Sequence, residues 1–221
     1  MEMRKTYICS LGFDATSIVR LIGEKGLTAN DTIILVTTTH THPRAETAIK
    51  SLKDFAEKLN PKSTIDVIRI PETSLEESLP VLVQRIRQEK SRGSNIIVDI
   101  SGGPKNIAVA LYLAAALAPA DEVHLTSEVT GERVHLPLIP IHLLLTPRQL
   151  KVLSMLPATL TELSQKLQVS KPAVSRLMAR MKEKGLVTMN KNRYEPTPWG
   201  RILLYTQHHP EAAKEDRPPI N

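Results

Sequence analysis

The chain has 221 residues, with 29 Lys+Arg against 23 Asp+Glu and a formal net charge of +6. That length suits one large domain or two unequal ones, and a 41% hydrophobic content suits a globular core. Aromatics at 3% exclude a base-stacking platform, and the single cysteine, Cys9, excludes an internal disulfide framework and a cysteine-based zinc site. The longest apolar run, from Ile107 to Ala118, is too short to span a bilayer and ends at Pro119. The N-terminal stretch MEMRKTYICSLG lacks the apolar segment and small-residue cleavage site of a signal peptide. A cytoplasmic protein with no membrane partner is expected.

In chain order, β-rich apolar runs at residues 6–10, 32–37, 64–70 and 95–100 alternate with helical spacing at 15–23, 43–59, 75–90 and 104–118. Within 75–90, Leu75, Leu79, Leu82, Val83 and Ile86 fall on one helical face. Runs such as TIILV and NIIVDI are apolar on both faces, as central parallel strands under helices are. Four successive βα units predict an α/β fold with a doubly wound, mostly parallel, Rossmann-like sheet. Residues 122–126 and 133–136 then flank Thr130-Gly131-Glu132 and predict a terminal β-hairpin. The resulting division is a sheet domain over 1–138, a packed linker over 139–147, a helical domain over 148–207 and a disordered tail over 208–221.

Charge divides along the same line. Residues 1–144 carry 16 Lys+Arg against 17 Asp+Glu, a net −1, whereas residues 145–221 carry 13 against 6, a net +7. A nucleic-acid-binding module joined to a neutral domain has this distribution. Thr146-Pro147 opens a first helix, residues 161–167 form a short second one, and Gln168-Val169 is a turn. Ser170 caps a third helix with Pro172 in its first turn, which Gly185 stops. Two short strands around Asn190-Lys191-Asn192 and a final helix from about residue 198 complete a C-terminal winged helix-turn-helix. Val174, Leu177 and Met181 are the expected inward side chains of the third helix, with Lys171, Ser175, Arg176, Arg180 and Lys182 outward. In such modules the N-terminal part of this helix reads base edges of double-stranded DNA, and cations hold phosphates. Arg176 is the expected base contact. Ser170 and Ser175 suit phosphates, and Lys191 and Arg193 suit the backbone or minor groove from the wing. Residues 146–207 resemble the MarR-like winged-helix transcription factors. A winged helix that binds protein instead is the competing reading.

Two loops follow carboxyl ends of strands, where open α/β sheets bind ligands. Ser10-Leu11-Gly12-Phe13-Asp14-Ala15-Thr16 has neither the G-x-G-x-x-G nor the P-loop spacing, which argues against a dinucleotide-dependent dehydrogenase. Asp99-Ile100-Ser101-Gly102-Gly103-Pro104-Lys105-Asn106 has two glycines, a helix-starting proline and a cation, a combination that suits an anion. A Gly-Gly pair can also serve only to bend the turn.

An LGFD-type loop, a D-x-[ST]-G-G-x-[KR] loop after the fourth strand, a β-hairpin and a winged helix together resemble the archaeal CRISPR-associated Rossmann-fold (CARF) transcription regulators. That resemblance implies a homodimer whose two sheet domains share a pocket for a cyclic oligoadenylate, with the tetra-adenylate the first expectation. It implies that Leu11, Gly12, Phe13 and Asp14 line the pocket, and that Ser101, Gly102, Gly103, Pro104, Lys105 and Asn106 hold phosphates and riboses. Thr38 and Thr39, on the same rim in the Thr37–His42 stretch, suit adenine or ribose contacts. His40-x-His42 is a weak metal signal without a carboxylate or cysteine partner, so no metal and no cofactor beyond the nucleotide are expected. Cys9 reads as a buried core thiol and Asp99 as a loop-orienting residue. The predicted function is a ligand-responsive regulator of CRISPR loci with no catalytic residue. The alternative is a metal-independent ring nuclease, in which a ribose 2′-OH attacks the adjacent phosphate beside Lys105 and Ser101.

Overall fold

A computed structural model describes residues 3–127, 129–138 and 145–208. The chain forms two compact units, Met1–Ile141 and His142–Asn221. Residues 139–144 of the predicted 139–147 linker and residues 209–221 of the predicted 208–221 tail lie outside the described residues, while Pro147 and His208 lie in helices.

The first unit runs β1 (Lys5–Ser10), α1 (Thr16–Lys25), β2 (Thr32–Thr38), α2 (Pro43–Leu59), β3 (Thr64–Ile70), α3 (Leu75–Ser91), β4 (Asn95–Asp99), α4 (Lys105–Leu117), β5 (Glu122–Thr126) and β6 (Arg133–His135). Its six strands are ordered β3-β2-β1-β4-β5-β6. β1 to β5 are parallel, and β6 returns antiparallel to β5. The mostly parallel, doubly wound sheet with a terminal hairpin is as the sequence predicts. Alternation along β1 divides the core. Tyr7 and Cys9 join Ile33, Leu35 and Ile97 against α1 and α2, while α4 packs on the opposite face with α3 beside it. Strand order reverses between β1 and β4, so the helices that follow them, α1 and α4, lie on opposite faces and a crevice opens at the carboxyl edge.

Helix starts follow local chemistry. Pro43 opens α2, where the His42 ring Nδ1 accepts from Arg44 N at 3.2 Å. Ser74 accepts from Glu77 N at 3.3 Å to start α3. On α3, Leu79, Leu82, Val83 and Ile86 are buried as expected, but Leu75 is 41% exposed. Leu75 is the first residue of the helix, on the turn where the chain enters from the loop. Glu89 continues the buried face instead, held by Arg4 at 3.1 Å, Arg85 at 3.3 Å and Arg92 at 2.8 Å.

The second unit runs α5 (Pro147–Leu153), α6 (Leu160–Leu167), α7 (Lys171–Glu183), β7 (Val187–Asn190), β8 (Arg193–Pro196) and α8 (Pro198–His208). Capping boxes start α5, at Thr146 with Gln149, and α6, at Thr159 with Glu162. Gln168, in the left-handed region, turns α6 toward α7, and Ser164 Oγ donates to Val169 O at 2.6 Å across that turn. β7 and β8 pair with Asn190 opposite Arg193, and Lys191 and Asn192, both at positive φ, form the two-residue tip. Ala158 bridges to Tyr194, adding a third short pairing to the wing. This is the predicted winged helix-turn-helix. On α7 the buried residues are Val174, Met178 and Met181, and Leu177 is only partly covered. Val174 and Met181 thus point inward as expected, and Met178 takes the place expected of Leu177.

Candidate functional site

The loops after β1 and β4 interlock at the backbone. A Cβ on Gly12 would lie 2.8 Å from Gly103 Cα, and one on Gly102 would lie 2.8 Å from Ser10 O. Gly103 itself sits at φ +80, and its missing Cβ would be 3.1 Å from the Leu11 carbonyl. Ser10 Oγ donates to Gly102 O at 2.6 Å, and Leu11 N donates to Val36 O at 2.8 Å, tying both loops to the strand ends. The glycines therefore let the two loops approach each other. Gly12→Ala is expected to lower stability by about 1–3 kcal/mol, because backbone rather than a movable side chain blocks the methyl. A thermal melt equal to wild type would show that the loops separate without cost.

A cleft of about 430 Å³ opens above this lock. Its walls include Gly12, Phe13, Gly103 and Pro104 from the two loops, Thr38, His40 and His42 after β2, and Glu72 after β3. Phe13 is 52% exposed, its ring centroid 4.5 Å from that of His42, with the Arg44 guanidinium 5.0 Å above the ring. A planar ring can stack on such a group. α4 begins at the cleft with Pro104 as N-cap and no side-chain cap, and Lys105 is its first helical residue. Backbone N–H groups and an exposed ammonium thus stand together at the positive helix end. Among the described residues Lys105 has no hydrogen-bond or ion-pair partner.

The residues named from sequence separate into three sets. Gly12, Phe13, Thr38, Gly103 and Pro104 line the cleft. Leu11 reaches it by backbone, because its side chain is fully buried in the core under α1. Asp14, Ser101, Gly102 and Asn106 serve other purposes first. The Asp14 carboxylate accepts from Thr16 N at 2.9 Å and Thr16 Oγ1 at 2.7 Å, capping α1. Those bonds, the hydroxyl's above all, hold its carboxyl below the ordinary value. Ser101 Oγ accepts from Thr126 N at 2.8 Å, and Asn106 Nδ2 donates to Glu72 O at 2.5 Å. Thr39 is exposed beside the cleft, its N–H bonded to Ile70 O at 3.1 Å.

Asp99 orients the loop as expected. Its Oδ1 accepts from Ser101 N at 3.0 Å, and its Oδ2 lies 3.4 Å from Arg133 Nη1 of the hairpin. Burial pushes its carboxyl up, with Ser101 and Arg133 opposing. Cys9 is fully buried, and burial pushes its thiol well up, so it is a core residue. Among the described residues no group of three or more His, Cys, Asp and Glu is placed to hold a metal ion.

On α7, Lys171, Ser175, Arg176, Arg180 and Lys182 are all exposed. Ser170 occupies the N-cap position without a side-chain cap bond, which leaves its hydroxyl available. No described carboxylate pairs with Lys171, Arg176, Arg180 or Lys191. Arg193 differs. It pairs with Glu162 at 3.3 Å and donates to Pro157 O at 2.9 Å, fastening the wing to the start of α6.

Residues 5–137 match the model of the Csa3 CRISPR-associated Rossmann-like domain. The chain belongs to that family. Behind its Csa3-type domain, residues 145–192 match the MarR family. Among solved structures the Csa3-type chain is similar to Enterococcus italicus Csm6 bound to cyclic hexa-2′-fluoro-hexa-dAMP, at 11% identity and TM-score 0.50. That match covers 84% of this chain and 57% of Csm6, so the likeness is one of fold. Can2 from Sulfobacillus thermosulfidooxidans, in complex with cyclic tetra-adenylate, matches at 13% identity and TM-score 0.44, over 91% of this chain and 63% of Can2. VC1899 from Vibrio cholerae matches at 13% identity and TM-score 0.42, over 92% of this chain and 64% of VC1899. No curated protein matches by sequence. No described helix is long and apolar enough to cross a membrane.

Within the Csa3-type domain, sequence reasoning missed Arg44 and Glu72 at the site. Arg44 carries one usable signal, its place directly after the rim stretch ending in His42-Pro43.

Proposed function

We propose that the protein is a CRISPR-linked transcription regulator, a homodimer that binds a cyclic oligoadenylate at the paired sheet domains and double-stranded DNA through the winged helices. What supports this most is the switch-point cleft, with the uncapped helix start and exposed Lys105 next to its Pro104 wall, in one chain with a winged helix whose Lys171, Arg176, Arg180 and Lys191 pair with no described carboxylate. The MarR-family match and the fold shared with a Csm6 solved on a cyclic adenylate analogue agree with it. Repeated phosphates of a ring ligand meet two symmetric Lys105 and two α4 N-termini in a two-fold dimer. Phe13, Thr38 and Thr39 serve bases and riboses, while Ser101, Gly102 and Asn106 set the loop that presents Lys105. On DNA, Arg176 reads a base edge and Lys171, Ser170, Ser175, Arg180 and Lys191 take phosphates. Arg193 holds the wing at the angle that brings Lys191 to the duplex.

The deciding experiment titrates promoter DNA with and without cyclic tetra- and hexa-adenylate. A ligand shifts DNA affinity only by its differential binding to two dimer states, so a ring of the right size should move the curve and others should not. Lys105→Ala should weaken ring binding about 100-fold, since the homodimer loses two charge-assisted hydrogen bonds worth about 10-fold each, and leave apo DNA affinity unchanged. Equal ring binding by wild type and variant would remove Lys105 from the site.

A second reading has a specific observation behind it. His40 and His42 both line the cleft, and an imidazole can take a proton from a ribose 2′-OH. Ring cleavage is therefore a second activity to assay, with labelled cyclic tetra-adenylate and His40→Ala and His42→Ala variants. Linear products that vanish in either variant would make the protein a ring nuclease as well as a regulator.

A further inference from the structure

Outside the cleft, a second opening of about 620 Å³ lies between α1 and α2. Arg20 from α1 and Arg44 from α2 both line it, with Phe13 as the wall shared with the cleft. These two arginines are unusual in their unit. Arg4, Arg69, Arg85, Arg92 and Arg133 each pair with a carboxylate, and Arg87 donates to Leu117 O. Among the described residues of the first unit, only Arg20 and Arg44 bind neither a carboxylate nor a backbone oxygen through their guanidinium. Arg44 instead lies over the Phe13 ring. The one carboxylate in the opening, Asp14, takes both Thr16 bonds on Oδ1 and meets Arg20 through charge alone, while Arg20 Nη1 reaches toward Gly131 of the hairpin; Arg20 and Arg44 thus both line an opening whose other walls include the apolar Ala15, Val19 and Ala48.

We infer that this α1–α2 groove is a second nucleotide site, which takes a linear nucleotide phosphate with the phosphate between Arg20 and Arg44 and the base against Phe13 and the apolar floor. A guanidinium fork matches two phosphate oxygens, which selects phosphate esters over compact monovalent anions. Ser51, exposed on the α2 side, adds a hydroxyl donor toward the same opening. The groove has room for a nucleotide, since small-ligand sites run from about 300 to 1,000 Å³. It is complete within one chain and does not depend on the cyclic-ligand reading of the cleft.

The test is calorimetric titration of the full-length protein at low salt with AMP, linear tetra-adenylate and inorganic phosphate as separate probes. One AMP per chain is expected, with affinity about 10-fold lower in Arg20→Ala and no binding in the Arg20→Ala/Arg44→Ala double variant. Lys105→Ala should leave AMP binding unchanged, which separates this site from the cleft. Tetra-adenylate binding at the groove would identify the free end of a strand as an occupant, and AMP alone would identify mononucleotides. The inference fails if Arg20→Ala binds AMP like wild type, or if Lys105→Ala is the variant that loses it. It fails equally if phosphate binds as tightly as AMP, since the base would then contribute nothing, or if no probe binds.

Discussion

Affinity for a promoter duplex is expected to fall about 10³-fold or more as salt rises from about 50 to about 200 mM, the loss that follows from about 6–10 phosphate contacts. The count comes from the α7 face. Lys171, Arg180 and Lys191 are exposed and free of described carboxylates, and Ser170 and Ser175 add hydroxyls. Doubled in a dimer, these reach the lower end of that range. Arg176 and Arg193 should then part company. Arg176→Ala removes a base contact, costs about 1–3 kcal/mol on the cognate site and relaxes preference at one position. Arg193→Ala breaks the bond to Glu162 and Pro157 O, so its effect should appear in the melt of the second unit as well as in DNA binding. Fluorescence anisotropy of labelled duplexes across a salt series gives both results. A flat salt response would reject DNA binding and leave the protein-binding winged helix.

Secondary structure was legible where one local rule decided it. α2 matches its expected span of Pro43–Leu59 at both ends, because Pro43 can only open a helix and Asn60 follows in extended backbone. The sheet was legible because β2, fully apolar through Ile33–Val36, can only be covered on both faces. Leu75 and Glu89 escaped the pattern because position along the helix overrode periodicity. Leu75, the first residue of α3, stays exposed, and a glutamate meeting three arginines can be buried. On α7, Met178 rather than Leu177 fills the core beside Val174 and Met181; i+3 and i+4 both neighbour Val174 on the helix surface, so periodicity alone does not choose between them.

At the site, residue types were legible and their partners were not. Gly12, Gly102 and Gly103 mark a close approach in the sequence, but only the fold shows that the approaching group is the other loop. Asp14 belongs to the pocket-lining set by resemblance, and its bonds to Thr16, two residues on, follow a local rule that the sequence also carries. Arg44 and Glu72 reach the Phe13 region from the β2–α2 and β3–α3 connections, which the order β3-β2-β1-β4 brings to the same edge. No spacing along the chain encodes that neighbourhood.

Arg133→Ala is expected to destabilise the first unit by about 3 kcal/mol or more near neutral pH, since it leaves a buried carboxylate without its cation. Arg133 is the hairpin's hold on the loop that carries Lys105. It lies against Asp99, whose side chain is fully buried, and against Glu24, which is 57% exposed and contributes little. Burial already raises the Asp99 carboxyl from its ordinary 3.8, and the nearby guanidinium opposes that rise. An acid that binds its proton more tightly when folded costs stability as pH climbs from the ordinary value through the raised one. Without Arg133 the raised value moves higher, so the penalty of Arg133→Ala should be small in acid, where Asp99 is protonated, and full only above the new value. Asp99→Asn in the Arg133→Ala background should recover much of the loss and flatten its pH dependence, because the amide Oδ1 still accepts from Ser101 N and no charge is buried. Urea midpoints from acid to neutral pH for wild type, both single variants and the double give the cycle. A pH-independent Arg133→Ala penalty, or one that Asp99→Asn does not relieve, would assign Arg133 to packing of the hairpin alone.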